Sequence, residues 1–196
     1  MNRSIVQVDH VDLFYQERHA ETQAVRDLSF SVEEGEFLAI CGPSGCGKTS
    51  VLSMLMRLIP PTRGYIRLPD TMRVGYMLQR DHLLEWRTVE GNVLLGLEVK
   101  RLCTPERRAR ALHLLERYGL AGFSQHKPAQ LSGGMRQKVA LIRTLACDPE
   151  LLLLDEPFSA LDYQTRLRLS DEIYRIIRDA GKTAVLVTHD ISEAVS

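Results

Sequence analysis

Residues 37–50, with the sequence FLAICGPSGCGKTS, determine the fold of this chain, because they join an apolar run to a glycine-rich loop. The apolar run at 37–41 predicts a strand buried on both faces, and residues 50–58 predict a helix that stops before two prolines. Residues 42–49 match the pattern GxxxxGK followed by Ser or Thr. In a strand, loop and helix of this kind, backbone N–H groups surround phosphate oxygens. The segment therefore predicts a nucleotide-binding loop.

Two side chains of this loop carry the predicted chemistry. Lys48 places a positive charge at the β- and γ-phosphates, and the hydroxyl of Thr49 is a ligand for Mg²⁺. Cys46 is interpreted as a small residue at a variable position, although alkylation of its thiol would block the nucleotide. The predicted nucleotide-binding residues of this region are Gly42, Pro43, Ser44, Gly45, Cys46, Gly47, Lys48, Thr49 and Ser50.

Two adjacent acids follow a run of four leucines at residues 151–154. Asp155 ends this predicted strand, where its carboxylate can reach a Mg²⁺-bound water. Glu156 follows directly, and its carboxylate can accept a proton from an attacking water. Two solvated acids at a strand end are the alternative, but the leucines before them and Pro157 after them favour the catalytic interpretation.

The segment LSGGMRQ, residues 131–137, predicts a second helix start that can receive an anion. Ser132 is a suitable residue to cap the helix, and Gly133 and Gly134 leave its N–H groups accessible. A plain loop with a cap is the structural alternative. This possible anion site is separate from the first phosphate loop and is not used by it.

Strands and helices alternate along most of the chain, which predicts a mostly parallel sheet covered on both faces. Thr104 and Pro105 predict a helix start, and Ala109, Leu112 and Leu115 recur at helical spacing after it. The other predicted elements are strands around residues 6–11, 28–32 and 183–188, a helix over 134–146 with Val139, Ile142 and Leu145 on one face, and a helix marked by Leu169, Ile173, Ile176 and Ile177.

Together, the segments 42–49, 131–137 and 151–156 resemble those of the ATP-binding cassette (ABC) ATPases, and the resemblance extends from Tyr15 to His189. It implies an α/β fold of the P-loop NTPase (RecA-like) type, with a mostly parallel sheet core, an antiparallel β N-terminal part and an inserted α-helical subdomain. The expected organisation is one ABC ATPase domain over residues 1–196, with the helical subdomain at 87–145 and the core in the remainder.

The resemblance also assigns roles to the glycines of the second segment. In ABC ATPases the matching segment binds the γ-phosphate of the nucleotide held by the other protomer. Ser132, Gly133 and Gly134 are therefore expected to contact ATP across a head-to-tail dimer with a second copy of the chain. One chain alone would contain both halves of an active site and no complete site.

Four further positions match the family pattern. Tyr15 is expected to stack on adenine, although a half-buried strand tyrosine is an alternative and Phe14 is a rival. Gln79 matches the glutamine that senses Mg²⁺ and links the core to the helical subdomain. Asp162 lies in the segment Ser-Ala-Leu-Asp that matches a dimer-interface loop, and His189 matches the histidine that holds the γ-phosphate and orients the attacking water.

The composition excludes several classes of protein. Lys and Arg together number 25, as do Asp and Glu, so the net charge is zero and no basic nucleic-acid surface is indicated. No apolar run approaches the ~20 residues that span a bilayer, and the first residues lack the apolar segment of a signal peptide. The four scattered cysteines indicate a reduced cytosolic protein rather than a disulfide framework. Membrane association is expected only through a partner.

Residues 79–93 resemble the importer subfamily that serves nitrate, sulfonate, taurine and related solutes. Glu85 replaces a proline that is common there, and a branch that handles thiamine-pyrimidine precursors fits equally well. Trp86 is either a buried anchor of the helical part or an exposed contact for a membrane partner. The transported solute therefore stays open.

The resulting hypothesis is an ATP-hydrolysing importer subunit at the cytoplasmic face of the membrane. Its expected cofactors are ATP and Mg²⁺, and its expected partners are a second copy, transmembrane permease subunits and, indirectly, an extracytoplasmic solute-binding protein. A soluble non-transport ABC ATPase is less favoured, because one cassette and no sustained heptads are present. A truncated or non-catalytic module also stays open, because the chain stops at Ser196, shortly after His189. That stop predicts an uncovered apolar face or sheet edge.

Overall fold

The computed structural model describes residues 4–16, 20–159 and 161–190 of the chain. The strands in this part are β1 (Ser4–Gln16), β2 (Glu21–Glu33), β3 (Phe37–Cys41), β4 (Arg63–Arg67), β5 (Val74–Met77), β6 (Leu151–Asp155) and β7 (Thr183–Thr188). The α-helices are α1 (Lys48–Leu55), α2 (Val89–Val99), α3 (Pro105–Arg117), α4 (Gly133–Ala146) and α5 (Tyr163–Asp179). None of these helices is long and apolar enough to cross a membrane.

The N-terminal strands form an antiparallel sheet in the order β2-β1-β4. Val8 in the middle of β1 pairs with Phe30 on one side and Ile66 on the other. Alternate residues of β1, such as Val6 and Val8, are buried, as expected for a strand with one face toward the core. The predicted antiparallel N-terminal part is confirmed.

The second sheet is parallel, in the order β3-β7-β6-β5. All residues of β6 and β7 are buried, and their side chains point alternately to two separate apolar clusters. Leu152 and Leu154 pack with α4 and α5 on one face, whereas Leu151 and Leu153 pack with α1 and the antiparallel sheet on the other. The predicted parallel sheet with two covered faces is therefore confirmed.

The expectation that residues 37–41 form a strand buried on both faces is wrong. In the part of the chain that the structure describes, β3 pairs only with β7 and lies at the edge of the sheet. Its first four residues are half-buried, and Cys41 is exposed. The apolar run therefore marks a strand correctly but overstates its burial, because position within a sheet depends on which strands flank it.

The helix predictions hold in position and differ in detail. α4 begins one residue earlier than predicted and buries Val139, Ile142 and Leu145. α3 begins at Pro105, and the side chain of Thr104 accepts a hydrogen bond from the backbone N–H of Arg107.

The predicted apolar face of α3 is partly wrong. Ala109 is exposed, and the buried residues are Ala111 and Leu115. At 100° per residue Ala109 lies on the far side of the helix from Ala111, so only one narrow stripe reaches α4.

Two further boundaries differ from the sequence prediction. α1 covers Lys48–Leu55 rather than residues 50–58, and Arg57 beyond it takes a left-handed conformation with φ 57°. α2 has no counterpart among the predicted helices, although Val93, Leu94 and Leu97 are fully buried in it. The division into a core and a helical subdomain over 87–145 stays a prediction.

Candidate active site

The candidate site lies where the parallel strands end. The glycine-rich loop follows β3, Gln79 follows β5, Glu156 follows β6 and His189 follows β7. In open α/β sheets, the crevice at the carboxyl ends of the strands is where ligands bind. The parallel pairing thus brings together four segments that are far apart in the sequence.

The glycine-rich loop is held at both ends by backbone contacts. The N–H of Gly42 donates to the carbonyl oxygen of Thr188 on β7 at 3.2 Å. At the other end Gly47 precedes α1 with φ 94°, a conformation that favours glycine. A Cβ atom at Gly47 would lie 2.1 Å from the carbonyl oxygen of Ala24 on β2. The loop is therefore fitted closely between the two sheets.

Lys48 is almost completely buried at the start of α1, with 6% of its surface exposed. Its Nζ atom donates to the carbonyl oxygens of Gly42 and Pro43, both at 2.8 Å. The same atom lies 3.4 Å from Oε1 of Glu156. The side chain thus folds back onto the start of the loop, and its positive charge lies inside the loop that would surround the phosphates.

Asp155 receives hydrogen bonds on both carboxylate oxygens. The hydroxyl of Thr49 donates to Oδ1 at 3.2 Å, and the hydroxyl of Tyr76 donates to Oδ2 at 3.0 Å. Burial raises the pKa of Asp155 above its usual value, and the two hydrogen bonds oppose that rise. Burial, together with the charge of Asp155, also raises the pKa of Tyr76, so its hydroxyl keeps the proton that it donates. A poorly solvated carboxylate beside a hydroxyl fits a hard cation such as Mg²⁺.

Glu156 is the centre of the site. Its backbone is in a left-handed conformation, with φ 42°, and its N–H donates to the carbonyl oxygen of Val187 at 2.9 Å. Nε2 of Gln79 donates to its Oε2 atom at 3.4 Å, and Nδ1 of His189 lies 3.1 Å from the same oxygen. The strained turn therefore directs one carboxylate toward Lys48 on one side and these two polar side chains on the other.

A cleft of about 370 Å³ opens beside this acid and is lined by the glycine-rich loop, Gln79, Glu156, Tyr15 and residues 22–24 of β2. The hydroxyl of Tyr15 lies 3.1 Å from Oγ of Ser50, and the residue is 42% exposed. Tyr15 lines the cleft, and Phe14 is not among the lining residues, so the geometry favours Tyr15 as the aromatic contact. The contribution of residues 22–24 was not predicted.

The second predicted phosphate-binding segment lies outside this cleft. Ser132 caps α4 and accepts a hydrogen bond from the N–H of Met135 at 3.3 Å. A Cβ atom at Gly133 would lie 3.0 Å from the side chain of Leu161, and one at Gly134 would lie 3.5 Å from Thr165. The glycines therefore leave room for close packing against the start of α5.

Asp162 caps α5 and also lies away from the cleft. Hydrogen bonds from Thr165 hold the pKa of its carboxyl below the usual value. Ala160, in the same predicted interface loop, lies outside the described residues. The structure thus gathers the predicted residues around Lys48 and Glu156 and leaves Ser132, Gly133, Gly134 and Asp162 as a separate surface.

One contact goes beyond the sequence prediction, and one alternative left open by the sequence is decided. Tyr76 contacts Asp155, and no local pattern indicates this, because β5 and β6 are distant in the sequence and meet only in the sheet. Trp86 is 73% exposed, so its interpretation as a buried anchor is wrong. The arginine-rich stretch at 101–110 is exposed throughout.

Comparison with known proteins identifies the family of the chain. Residues 25–159 match the family described as ABC transporter. The ABC transporter ATP-binding protein YtlC of Bacillus subtilis is 50% identical over 199 residues, covering 98% of this chain and 76% of that protein. The taurine import ATP-binding protein TauB of Yersinia pestis is 46% identical over 179 residues, covering 88% of this chain and 70% of that protein. A dimeric structure of the ATP-binding cassette MJ0796 in a post-hydrolysis state, bound to ADP and Pi, aligns with a TM-score of 0.79 at 33% identity and covers 96% of this chain and 90% of that one.

Proposed function

This chain belongs to the ABC transporter family, and we propose that it is the ATP-hydrolysing subunit of an importer for a small organic or anionic solute. The observation that carries the catalytic part is the carboxylate of Glu156, which lies beside Lys48, Gln79 and His189. The related cassette dimer bound to ADP and Pi supports the same chemistry. The proposed reaction is hydrolysis of ATP to ADP and phosphate.

The proposed mechanism follows from the positions of these side chains. The N–H groups of the glycine-rich loop and the charge of Lys48 would bind the β- and γ-phosphates. Glu156 would accept the proton of the attacking water, while His189 would hold the γ-phosphate and orient that water. Thr49 and Asp155 would hold Mg²⁺, with Gln79 near it. When bound, Mg²⁺ neutralises charge on the phosphate oxygens.

The second half of each site would come from another copy of the chain. Ser132, Gly133 and Gly134 lie at a helix start that is separate from the cleft, and a helix start can receive an anion. In a head-to-tail dimer, this surface would meet the γ-phosphate held by the partner's loop. The related cassette is dimeric when bound to ADP and Pi, which supports the dimer itself.

The proposed membrane partner is a permease that docks near Trp86. The segment that starts at Gln79 in the cleft ends at Trp86, which has 73% of its surface exposed. Leu78, directly before Gln79 in the chain, is 42% exposed. Exposed aromatic residues are favoured at protein interfaces. The chain would thus lie on the cytoplasmic face of the membrane, with an extracytoplasmic binding protein selecting the solute.

The solute that we propose is a sulfonate of the taurine type. The 46% identity to a taurine import ATP-binding protein supports this class. Nitrate and a thiamine-pyrimidine precursor are the remaining candidates from the sequence pattern. Three growth tests of a deletion strain would distinguish them: taurine as the sole sulfur source, nitrate as the sole nitrogen source, and the pyrimidine precursor as the sole source of thiamine in a strain that cannot make it.

Mixing two inactive variants tests the shared active site. Lys48→Ala disables the phosphate loop, and Ser132→Arg places a bulky side chain where the partner's nucleotide would lie. We expect each variant alone to lose ATP hydrolysis, and the mixture to regain about a quarter of wild-type activity, because half of the dimers are mixed and each has one intact site.

The control for this experiment is Thr104→Arg, which removes the cap of α3 without touching a nucleotide surface. We expect that variant to hydrolyse ATP like the wild type, apart from a stability loss of about 1 kcal/mol. A mixture of Lys48→Ala and Ser132→Arg that stays inactive, although both variants are folded and exchange subunits, would argue against a site shared between copies.

Removing the Tyr76 hydroxyl should lower the affinity of the site for Mg²⁺. Tyr76→Phe keeps the ring in place but leaves Oδ2 of Asp155 without its hydrogen bond. Partners that orient a metal ligand contribute on the order of tenfold to metal affinity. We expect the Mg²⁺ concentration for half-maximal ATP hydrolysis to rise by about that factor. Titration of Mg²⁺ at saturating ATP measures it, and an unchanged midpoint would contradict the role.

A further inference from the structure

Residues 79–86 connect the cleft to the exposed Trp86. Arg136 on α4 is hydrogen-bonded to two carboxylates of this segment. Nε of Arg136 donates to Oδ2 of Asp81 at 2.8 Å, and Nη2 donates to Oδ1 of the same carboxylate at 3.0 Å. Nη2 also donates to Oε1 of Glu85 at 2.7 Å. A guanidinium that binds one carboxylate with two nitrogens gives a defined geometry as well as attraction.

A second arginine on the same face of α4 holds the backbone of the segment. Arg143 lies about two helical turns after Arg136, and its guanidinium donates to the carbonyl oxygens of Asp81 at 2.7 Å and His82 at 2.8 Å. Oδ1 of Asp81 also accepts a hydrogen bond from the N–H of Leu83 at 2.9 Å. Both the side chains and the backbone of the segment are thus attached to α4.

The attachment is partly protected from water. The side chains of Arg136 and Asp81 are 23% and 18% exposed. Although burial opposes ionisation of Asp81, the hydrogen bonds from Arg136 and from the N–H of Leu83 hold its pKa below the usual value. The pair is therefore charged at neutral pH. Fully exposed ion pairs contribute little, whereas this one combines low exposure with two parallel hydrogen bonds.

The same arginine belongs to the first turns of α4. Its backbone N–H donates to the carbonyl oxygen of Ser132 at 2.9 Å, and Ser132 is the cap that would face the partner's nucleotide. A shift of the start of α4 must therefore move Arg136, and Arg136 is bonded to Asp81 and Glu85 near Trp86. Contiguous hydrogen bonds thus run from Ser132 to the segment that ends at Trp86.

We propose that Arg136 is a positioning residue that makes the start of α4 and residues 79–86 move as one unit, so that ATP held against Ser132 changes the environment of Trp86. This inference rests on the shared ATP site proposed above. In this inference, the ion pair between Arg136 and Asp81 couples nucleotide binding at Ser132 to movement of the surface around Trp86. A purely structural pair would stabilise the fold without affecting that transmission.

The test uses Trp86 itself, because it is the only tryptophan of the chain. The full chain with Glu156→Gln, which prevents turnover, is mixed with ATP and Mg²⁺. Light scattering follows dimer formation, and fluorescence follows Trp86. We expect the parent to dimerise and to change its emission. We expect Arg136→Gln to dimerise while its emission change falls by at least about threefold, because the contact that would couple the two surfaces is lost.

Lys138→Gln is the matched control, since it removes one positive charge from the same helix. Lys138 forms its ion pair with Glu172 on α5 rather than with residues 79–86. We expect this variant to keep the full emission change. Should Arg136→Gln fail to fold in a thermal melt, Asp81→Asn removes the charge of the partner instead, and we expect the same loss of signal.

The outcomes separate the inference from the function on which it rests. A full emission change in folded, dimeric Arg136→Gln would overturn the role of Arg136. So would a parent that dimerises without any change at Trp86. A parent that binds ATP but never dimerises would instead contradict the shared site, and the inference would fail together with it.

Discussion

Replacing Glu156 by glutamine is expected to slow ATP hydrolysis by about 10²- to 10⁴-fold, the contribution of a general base. A carboxamide cannot accept the proton of the attacking water at neutral pH. Its oxygen can still accept the hydrogen bond that Gln79 donates, so the local geometry should persist. ATP binding should persist as well, because the substitution removes a negative charge that lies 3.4 Å from Nζ of Lys48.

Two measurements check this prediction. Single-turnover hydrolysis gives the rate, and size-exclusion chromatography with ATP shows whether ATP-bound dimers accumulate. Glu116→Gln is the control, because Glu116 lies on α3 with its side chain 73% exposed, and its rate should equal that of the wild type. Hydrolysis by Glu156→Gln within about threefold of the wild-type rate would remove Glu156 as the base, since a general base contributes far more.

Substituting Gly47 by alanine is expected to lower ATP affinity by at least about 100-fold, or ~2.7 kcal/mol. The added Cβ would lie 2.1 Å from the carbonyl oxygen of Ala24, which is a backbone atom that cannot rotate away. The positive φ of Gly47 adds strain on the order of 1 kcal/mol. Both effects would move the loop away from β2, so its backbone N–H groups would no longer converge on the phosphate.

Gly35→Ala is the matched control for this substitution. Gly35 has φ +79°, close to that of Gly47, but a Cβ atom there meets nothing within 4 Å. The control should therefore lose stability on the order of 1 kcal/mol from backbone strain and keep its ATP affinity. Calorimetric titration and thermal melts measure the two quantities. Equal ATP affinities for Gly47→Ala and the wild type would show that close packing against Ala24 does not shape the loop.

The predictions from sequence were most accurate where the chemistry is contiguous in the chain. The strand, loop and helix around Lys48 and the helix caps at Thr104 and Ser132 are in place. Such features depend on hydrogen bonds between residues a few positions apart, so short sequence patterns are sufficient to indicate them. The apolar face of α3 was less accurate, because the exposure of Ala109 depends on how narrowly α3 contacts α4.

The grouping of the candidate site was expected only through resemblance to a family. Nothing local in the sequence shows that Gln79, Glu156 and His189 meet, because each follows a different strand. The parallel sheet brings their strands side by side and sets the distances between their side chains. Their assigned roles stay predictions that the variants above would test.

By itself, the sequence determined the glycine-rich loop between a strand and a helix, the position of the two acids after β6 and the alternation of strands and helices, since these arise from local geometry and hydrophobic periodicity. Only the tertiary structure decided that β3 lies at a sheet edge, that Tyr76 donates a hydrogen bond to Asp155 and that Arg136 forms an ion pair with Asp81. These features join segments that are distant in the chain, and their contacts exist only after the strands have paired and the helices have packed.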